Sequence, residues 1–190
     1  MEKIFTIGHG NKRLEQLIGI LRTHEIQALV DIRSYPRSKR NPQFNRENLE
    51  IQLPQSGIAY SWFKGLGGHK KTGLGAGSPH VALKSQGFRN YADFMLSKSF
   101  KESIDALLPF VRTGNGCLMC AETLACKCHR WILSDYLTVR GVKVIHLLDA
   151  EKNRPHKLSE YARAEGDNVF YDRLPPAQQC FAFAGASDPA

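Results

Sequence analysis

Short apolar runs alternate with stretches of helical period along this chain, and three of the runs open into a burst of unusual polar residues. Ile4-Phe5-Thr6-Ile7 leads into Gly8-His9-Gly10-Asn11, Ala28-Leu29-Val30 into Asp31-Ile32-Arg33-Ser34-Tyr35-Pro36-Arg37, and Cys117-Leu118-Met119-Cys120 into Ala121-Glu122. Strands separated by helices imply right-handed parallel crossovers. The pattern therefore predicts an α/β protein, a Rossmann-like three-layer sandwich around a mainly parallel sheet of about five strands. Ligands bind beyond the carboxyl ends of such strands. His9, Asp31, Arg33, Glu122 and Arg130 are thus expected around one concave site, although they are distant in sequence.

The elements between these runs follow from spacing. Leu14, Leu17, Ile18 and Leu21 fall on one helical face, and Asn45 is placed to cap a short helix carrying Leu49 and Leu53 that Pro54 and Gly57 end. Ile58 to Phe63 reads as a third strand. Lys64 to His80 is rich in Gly, Lys and His, has no period, and reads as a functional or mobile loop. Phe88 to Leu96 is helical, and Ser99 with Glu102 forms a capping box for a helix through Ile104, Leu107 and Leu108. A helix from about His129 to Arg140 turns Ile132, Leu133, Tyr136 and Leu137 inward and stops at Gly141, before a fifth strand from Val142 to Leu148.

A chain of 190 residues with 42% hydrophobic content suffices for one core, so residues 1–190 read as a single domain. Its α/β core spans 1–150, followed by a weakly patterned extension over 151–190. No apolar run approaches bilayer length and the first strand begins without a secretory apolar region, which makes the cytoplasm the expected location, with no membrane partner. Five cysteines, an odd number bunched mainly in one stretch, are no secreted disulfide framework. A formal charge of +8 and a pI near 9.4 favour polyanionic partners: DNA, RNA or a nucleotide.

Six motifs occur in one order. They are Thr6-Ile7-Gly8-His9, Asp31-Ile32-Arg33-Ser34 with Pro36-Arg37-Ser38, Asn41-Pro42-Gln43-Phe44-Asn45, Leu66-Gly67-Gly68, Gly87-Phe88-Arg89-Asn90-Tyr91-Ala92, and Met119-Cys120-Ala121-Glu122 followed by Cys128-His129-Arg130. Together they resemble the family catalogued as domain of unknown function 488, the YeaO-like proteins, from the N-terminus to about residue 150. The resemblance implies a small α/β domain with a shared polar site, and it implies no reaction. The chain departs from the commoner pattern at Cys126, to which the resemblance gives no role.

Cysteine chemistry is the most reactive available. Cys120 stands where the fourth strand ends, and Cys128-His129-Arg130 opens the next helix, where backbone N–H groups and the helix dipole favour an anion or lower a thiol pKa. Either thiol is a candidate nucleophile, the alternative being two small buried residues with Arg130 paired to Glu122 or Asp31. No cysteine stands five residues before an arginine, so the closed phosphate loop of cysteine phosphatases is not formed. Cys117, Cys120, Cys126, Cys128 and His129 hold enough soft donors for tetrahedral zinc. Yet Cys117 and Cys120 would point to opposite faces of a strand, so no metal site is assigned and no cofactor is expected.

The second constellation is basic. Arg33, Arg37 and Ser38, with Asn11, Asn45, His129 and Arg130, are candidate phosphate or substrate ligands, while Phe44, Tyr35 or Trp62 offers a ring to a base. Glu122, Asp31 and His9 are candidates for general acid or base work. His9 and Asn11 are better placed than His24, His146 or His156, because they directly follow a strand. The leading expectation is an enzyme acting on nucleic acid or a nucleotide, in repair or modification. The alternatives are a cysteine-dependent small-molecule or sulfur-transfer enzyme and a nucleic-acid-binding module without catalysis.

Overall fold

The structure, a computed structural model, describes residues 2–113 and 115–173. Their order is β1 (Lys3–Gly8), α1 (Leu14–Thr23), β2 (Ala28–Asp31), α2 (Arg46–Gln55), β3 (Ala59–Trp62), α3 (Gln86–Met95), α4 (Lys98–Arg112), β4 (Gly116–Cys120), α5 (His129–Val139), β5 (Lys143–Leu147), β6 (Asn153–Pro155), β7 (Ala162–Glu165) and β8 (Asn168–Tyr171). The first six strands form one sheet in the order β3-β2-β4-β1-β5-β6, parallel except for β6, and β7 and β8 form a separate hairpin. The α/β sandwich expected from the sequence is present, with a sixth strand added at one edge.

Apolar alternation assigns the layers. Leu14, Leu17 and Leu21 of α1 and Leu49 and Leu53 of α2 pack with Ile7, Leu29, Cys117 and Met119 on one face. Tyr91 and Met95 of α3, Phe100 and Ile104 of α4, and Ile132, Leu133 and Tyr136 of α5 cover Ile4, Val30, Leu118 and Cys120 on the other. β4 is buried along its whole length, as a central strand with a continuous apolar run must be. Its side chains alternate, so Cys117 and Cys120 do face opposite layers.

The crossover from β1 passes over β4 to reach β2, and the crossover from β4 passes over β1 to reach β5. The helices leaving these neighbouring strands therefore diverge to opposite faces. The gap between their carboxyl ends is the switch point at which an open α/β sheet forms a crevice.

Several local details differ from the sequence reading. α4 already includes Lys98, and Ser97 rather than Ser99 accepts the Phe100 N–H at 3.3 Å, since a cap must precede the first turn. Asn45 is the N-cap residue of α2 by backbone, but its side chain accepts the Ser38 N–H at 2.6 Å instead. The segment from Lys64 to His80 is tied down. It contains two short 3-10 turns, Asp93 accepts hydrogen bonds from the Leu74 N–H and the Ser78 hydroxyl, and the Tyr91 hydroxyl donates to the Leu66 carbonyl. In the extension, β6 continues the sheet, Val169 and Tyr171 of β8 join the core beside α5, and residues 174–190 lie outside the described part. No helix among the described residues is long and apolar enough to cross a membrane.

Candidate active site

The end of β2 is closed by its own charges. Asp31 is fully buried, and the Arg33 guanidinium folds back onto it at 2.5–3.1 Å, while the Tyr60 hydroxyl donates to the same carboxylate at 2.8 Å. Arg33 also donates to the Phe44 carbonyl at 2.8 Å and faces His9 Nε2 at 3.3 Å. His9 stacks on Phe44, and with Arg33 donating to Nε2, its Nδ1–H donates to the Gly10 carbonyl. Burial, then the Arg33 charge, lowers the His9 pKa to about 4, outweighing the Gly10 hydrogen bond, so the ring is neutral. Asp31 and Arg33 satisfy each other, which leaves no fork for a phosphate and no free carboxylate for proton transfer.

The end of β4 is built differently. A 3-10 turn at Ala125–Lys127 doubles the chain back, so that Cys128, the N-cap of α5, brings its Sγ to 2.7 Å from Cys120 Sγ. The Arg130 backbone N–H donates to Cys128 Sγ, and His129 Nδ1 stands 3.4 Å from it. His129 Nε2 lies 3.2 Å from the Ile32 carbonyl, which can only accept, so Nε2 carries a proton and Nδ1 is the nitrogen that faces the thiol. The hydrogen bond from Cys120, then His129 and Arg130, hold the Cys128 thiol well below the ordinary range against the cost of burial. Cys120 shifts the other way, because burial and its donated hydrogen bond keep its proton on.

Arg130 lies beneath the pair, 1% exposed. It donates to the carbonyls of Glu122 and Thr123 at 2.7 and 3.3 Å and to the Thr6 hydroxyl at 3.3 Å. Burial alone would lower the Arg130 pKa; the Cys120 and Cys128 sulfurs outweigh it and raise it. Two glycines permit this packing. A Cβ on Gly8 would overlap the Glu122 carbonyl that Arg130 uses, and one on Gly68 would overlap the His129 ring.

Above the sulfurs opens a cleft of about 430 Å³, lined among others by Tyr35, His69, Cys120, Glu122, Cys128 and His129. His9, Asp31, Arg33, Glu122 and Arg130 converge at this sheet edge, but not in one role. The Glu122 carboxylate has no partner among the described residues, and it is its backbone carbonyl that meets Arg130. Phe44 is wholly buried under His9 and offers no face to a base. Arg37 is exposed and paired with Glu47 at 2.8 Å; Ser38 and Asn45 hold each other in the basic loop; Asn11 is exposed beside the His9 turn. Among the described residues, no group of three or more His, Cys, Asp or Glu is placed to hold a metal ion.

Sequence reasoning did not foresee the polar chain behind the site: Thr6, His146, His156, Asp135 and Tyr171, all joined by hydrogen bonds. The available signal was a histidine at the buried centre of an apolar strand, Val144-Ile145-His146-Leu147, where an unpartnered ring would be costly. No curated protein and no solved structure matches the chain. A family model does match, over residues 13–137, a stretch that holds α1, the Asp31–Arg33 cluster, the cleft and most of α5. The chain belongs to the family described as Domain of unknown function DUF488.

Proposed function

We propose that this protein is a cysteine-dependent enzyme acting on a small molecule with an electrophilic sulfur, with Cys128 as nucleophile and Cys120 as the resolving thiol. The observation that carries the reading is the cysteine pair itself: two free thiols 2.7 Å apart at the floor of a cleft, one stabilised as thiolate and the other holding its proton. A thiolate at a helix N-terminus beside a histidine and an arginine is the activated form of the residue.

The chemistry balances without a cofactor. Cys128 thiolate attacks one sulfur of a substrate disulfide, or the inner sulfur of a persulfide, forms a mixed disulfide and expels the other sulfur as thiolate or hydrosulfide, which takes up a proton. Cys120 then loses its proton, attacks Cys128 Sγ and expels the remaining substrate sulfur, leaving a Cys120 to Cys128 disulfide. An external dithiol restores the pair. His129, with Nδ1 on the cleft side and Nε2 fixed by Ile32, is the group placed to accept and return the proton.

The test is alkylation mapped by mass spectrometry in mildly acidic buffer. Cys128 is expected to react far faster than the exposed Cys126, and a small disulfide should convert the protein to a Cys120 to Cys128 disulfide with the mixed disulfide at Cys128 on the way. Reaction at Cys128 no faster than at Cys126 would overturn the reading.

A second reading, binding of nucleic acid or a nucleotide, has its own observation. Tyr35, 66% exposed, separates the cysteine cleft from a smaller one of about 310 Å³ walled by Trp62, Arg37, Arg46 and Lys64. An exposed ring among cations suits a base and its phosphate. Neutralising Arg37, Lys39 and Arg40 should weaken oligonucleotide binding and flatten its salt dependence; unchanged slopes would return the loop to a solvated turn.

A further inference from the structure

Behind the cysteine pair lies a hydrogen-bonded chain whose direction chemistry fixes. Arg130 Nη1 donates to Thr6 Oγ1 at 3.3 Å; Thr6 Oγ1 is 2.7 Å from His146 Nδ1; His146 Nε2 is 2.9 Å from His156 Nδ1; and His156 Nε2 is 2.8 Å from Asp135 Oδ1. A guanidinium can only donate and a carboxylate only accept. Thr6 therefore receives from Arg130 and turns its own proton to His146 Nδ1. That ring must carry its proton on Nε2, pass it toward His156 Nδ1, and leave His156 to donate from Nε2 to Asp135. With both rings neutral, one arrangement of protons satisfies every link, and it runs from the cation beneath the cysteines to a carboxylate farther along the same helix, α5.

The ends of this chain explain each other. Arg130 is buried, and among the described residues its Nε has no partner and its guanidinium bonds only to neutral oxygens, with the cysteine sulfurs beside it. Asp135 is wholly buried and, among the described residues, meets no arginine or lysine; it accepts from His156, from the Ser159 N–H and from the Tyr171 hydroxyl at 2.8–2.9 Å. Each is an expensive buried charge; apart from the cysteine sulfurs beside Arg130, the two ends meet through three polarised groups. The groups facing the chain are Lys12 and the sulfurs of Cys117, Cys120 and Cys128 near Arg130, with Arg154 and Trp131 against His146. Burial, then His156 and Arg130, lowers the His146 pKa to about 3, so that link is neutral.

We propose that Asp135 is a positioning residue for the thiol chemistry, acting through His156, His146 and Thr6 to hold the Arg130 guanidinium under Cys120 and Cys128. The proposal rests on Cys128 being the reactive thiolate. If the chain reversed, His146 Nδ1–H would donate to Thr6 Oγ1 and compete with Arg130 for that oxygen, weakening the hold on the guanidinium. Asp135 prevents the reversal.

The experiment has two arms. Nitrogen NMR of the histidine rings in the intact protein is expected to show both His146 and His156 protonated on Nε2 alone; a proton on Nδ1 of either would overturn the chain. In the second arm, the pH profile of Cys128 alkylation is compared in Asp135→Asn, Thr6→Val and Thr6→Ser. Asp135→Asn and Thr6→Val should move the thiolate midpoint upward by about one unit, about tenfold slower reaction on the acid limb, while Thr6→Ser, which keeps the hydroxyl, restores the original profile. A folded Thr6→Val with an unshifted profile would overturn the proposal, even where Asp135→Asn failed to fold. A wild type whose Cys128 is unreactive would refute the thiol enzyme, and the ring tautomers alone would then decide the chain.

Discussion

Two buried polar clusters occupy neighbouring strand ends of this sheet and are satisfied in opposite ways. At the end of β2, Asp31 and Arg33 meet in a bidentate pair that Tyr60, His9 and the Phe44 carbonyl complete. At the end of β4, the Cys128 thiol, its pKa lowered by its neighbours, faces a cleft and is held by a weak thiol donor, a histidine and a backbone N–H, with the Arg130 guanidinium bonded elsewhere. The first cluster is complete without a ligand. The second leaves the Cys128 sulfur at a cleft without a strong partner. Charge at a strand end therefore does not mark reactivity by itself; what matters is whether its partners saturate it.

The contrast fails most visibly at Asp31. Asp31→Ala should cost about 3–5 kcal/mol in denaturant unfolding, since it strands a buried guanidinium, while Cys128→Ser should cost under about 1 kcal/mol. Equal losses would erase the distinction. Acid should attack the same cluster next. The His9 pKa is depressed from 6.5 to about 4, so the unfolded chain binds a proton across that window and the folded one does not. Its contribution is whole above 6.5 and is lost as pH falls toward 4, by up to about 3 kcal/mol. His146 acts in the same direction down to about 3. Denaturation midpoints that stay flat across the window in wild type would contradict the neutral rings.

Smaller effects sharpen the other side. Gly68→Ala forces a methyl into the His129 ring and should cost about 1–3 kcal/mol or move the ring, slowing Cys128 alkylation several-fold. Cys120→Ala removes the first of the groups that lower the Cys128 pKa, so the alkylation midpoint should rise by about one unit or more, about tenfold in rate on the acid limb. Glu122→Gln should change that rate by no more than a few-fold, because its carboxylate has no partner among the described residues, and Cys126→Ser should leave it unchanged. A collapse of activity in Glu122→Gln alone would move the centre of the chemistry from sulfur to a carboxylate.

The sheet, and the gathering of these polar residues beside a cleft at its carboxyl edge, were legible in the chain because both rest on local signals. Continuous apolar runs mark strands buried on two faces, and a polar burst after each run marks a carboxyl end. The pairing of Cys120 with Cys128 was not legible: it depends on the turn at Ala125–Lys127 reversing the chain, and nothing in the spacing specifies that turn. Arg33 and Arg37 look alike in sequence, yet one is buried on Asp31 and the other lies exposed on Glu47; only tertiary packing separates them. The chain from Thr6 to Asp135 escaped for a further reason. His156 follows β6 and Tyr171 ends β8, strands in a weakly patterned extension whose pairing is set by contact with β5 and α5.

The two outer strands carry a consequence for how the molecule behaves in company. Among the described residues the sheet ends in β3 and β6, four and three residues long, and β6 closes on Pro155, which has no N–H to offer a neighbour. Short margins of this kind give an incoming strand few bonds to make. Concentrated solutions should resist ribbon-like stacking, since these margins offer an incoming strand less than a helix face or a loop offers a second chain.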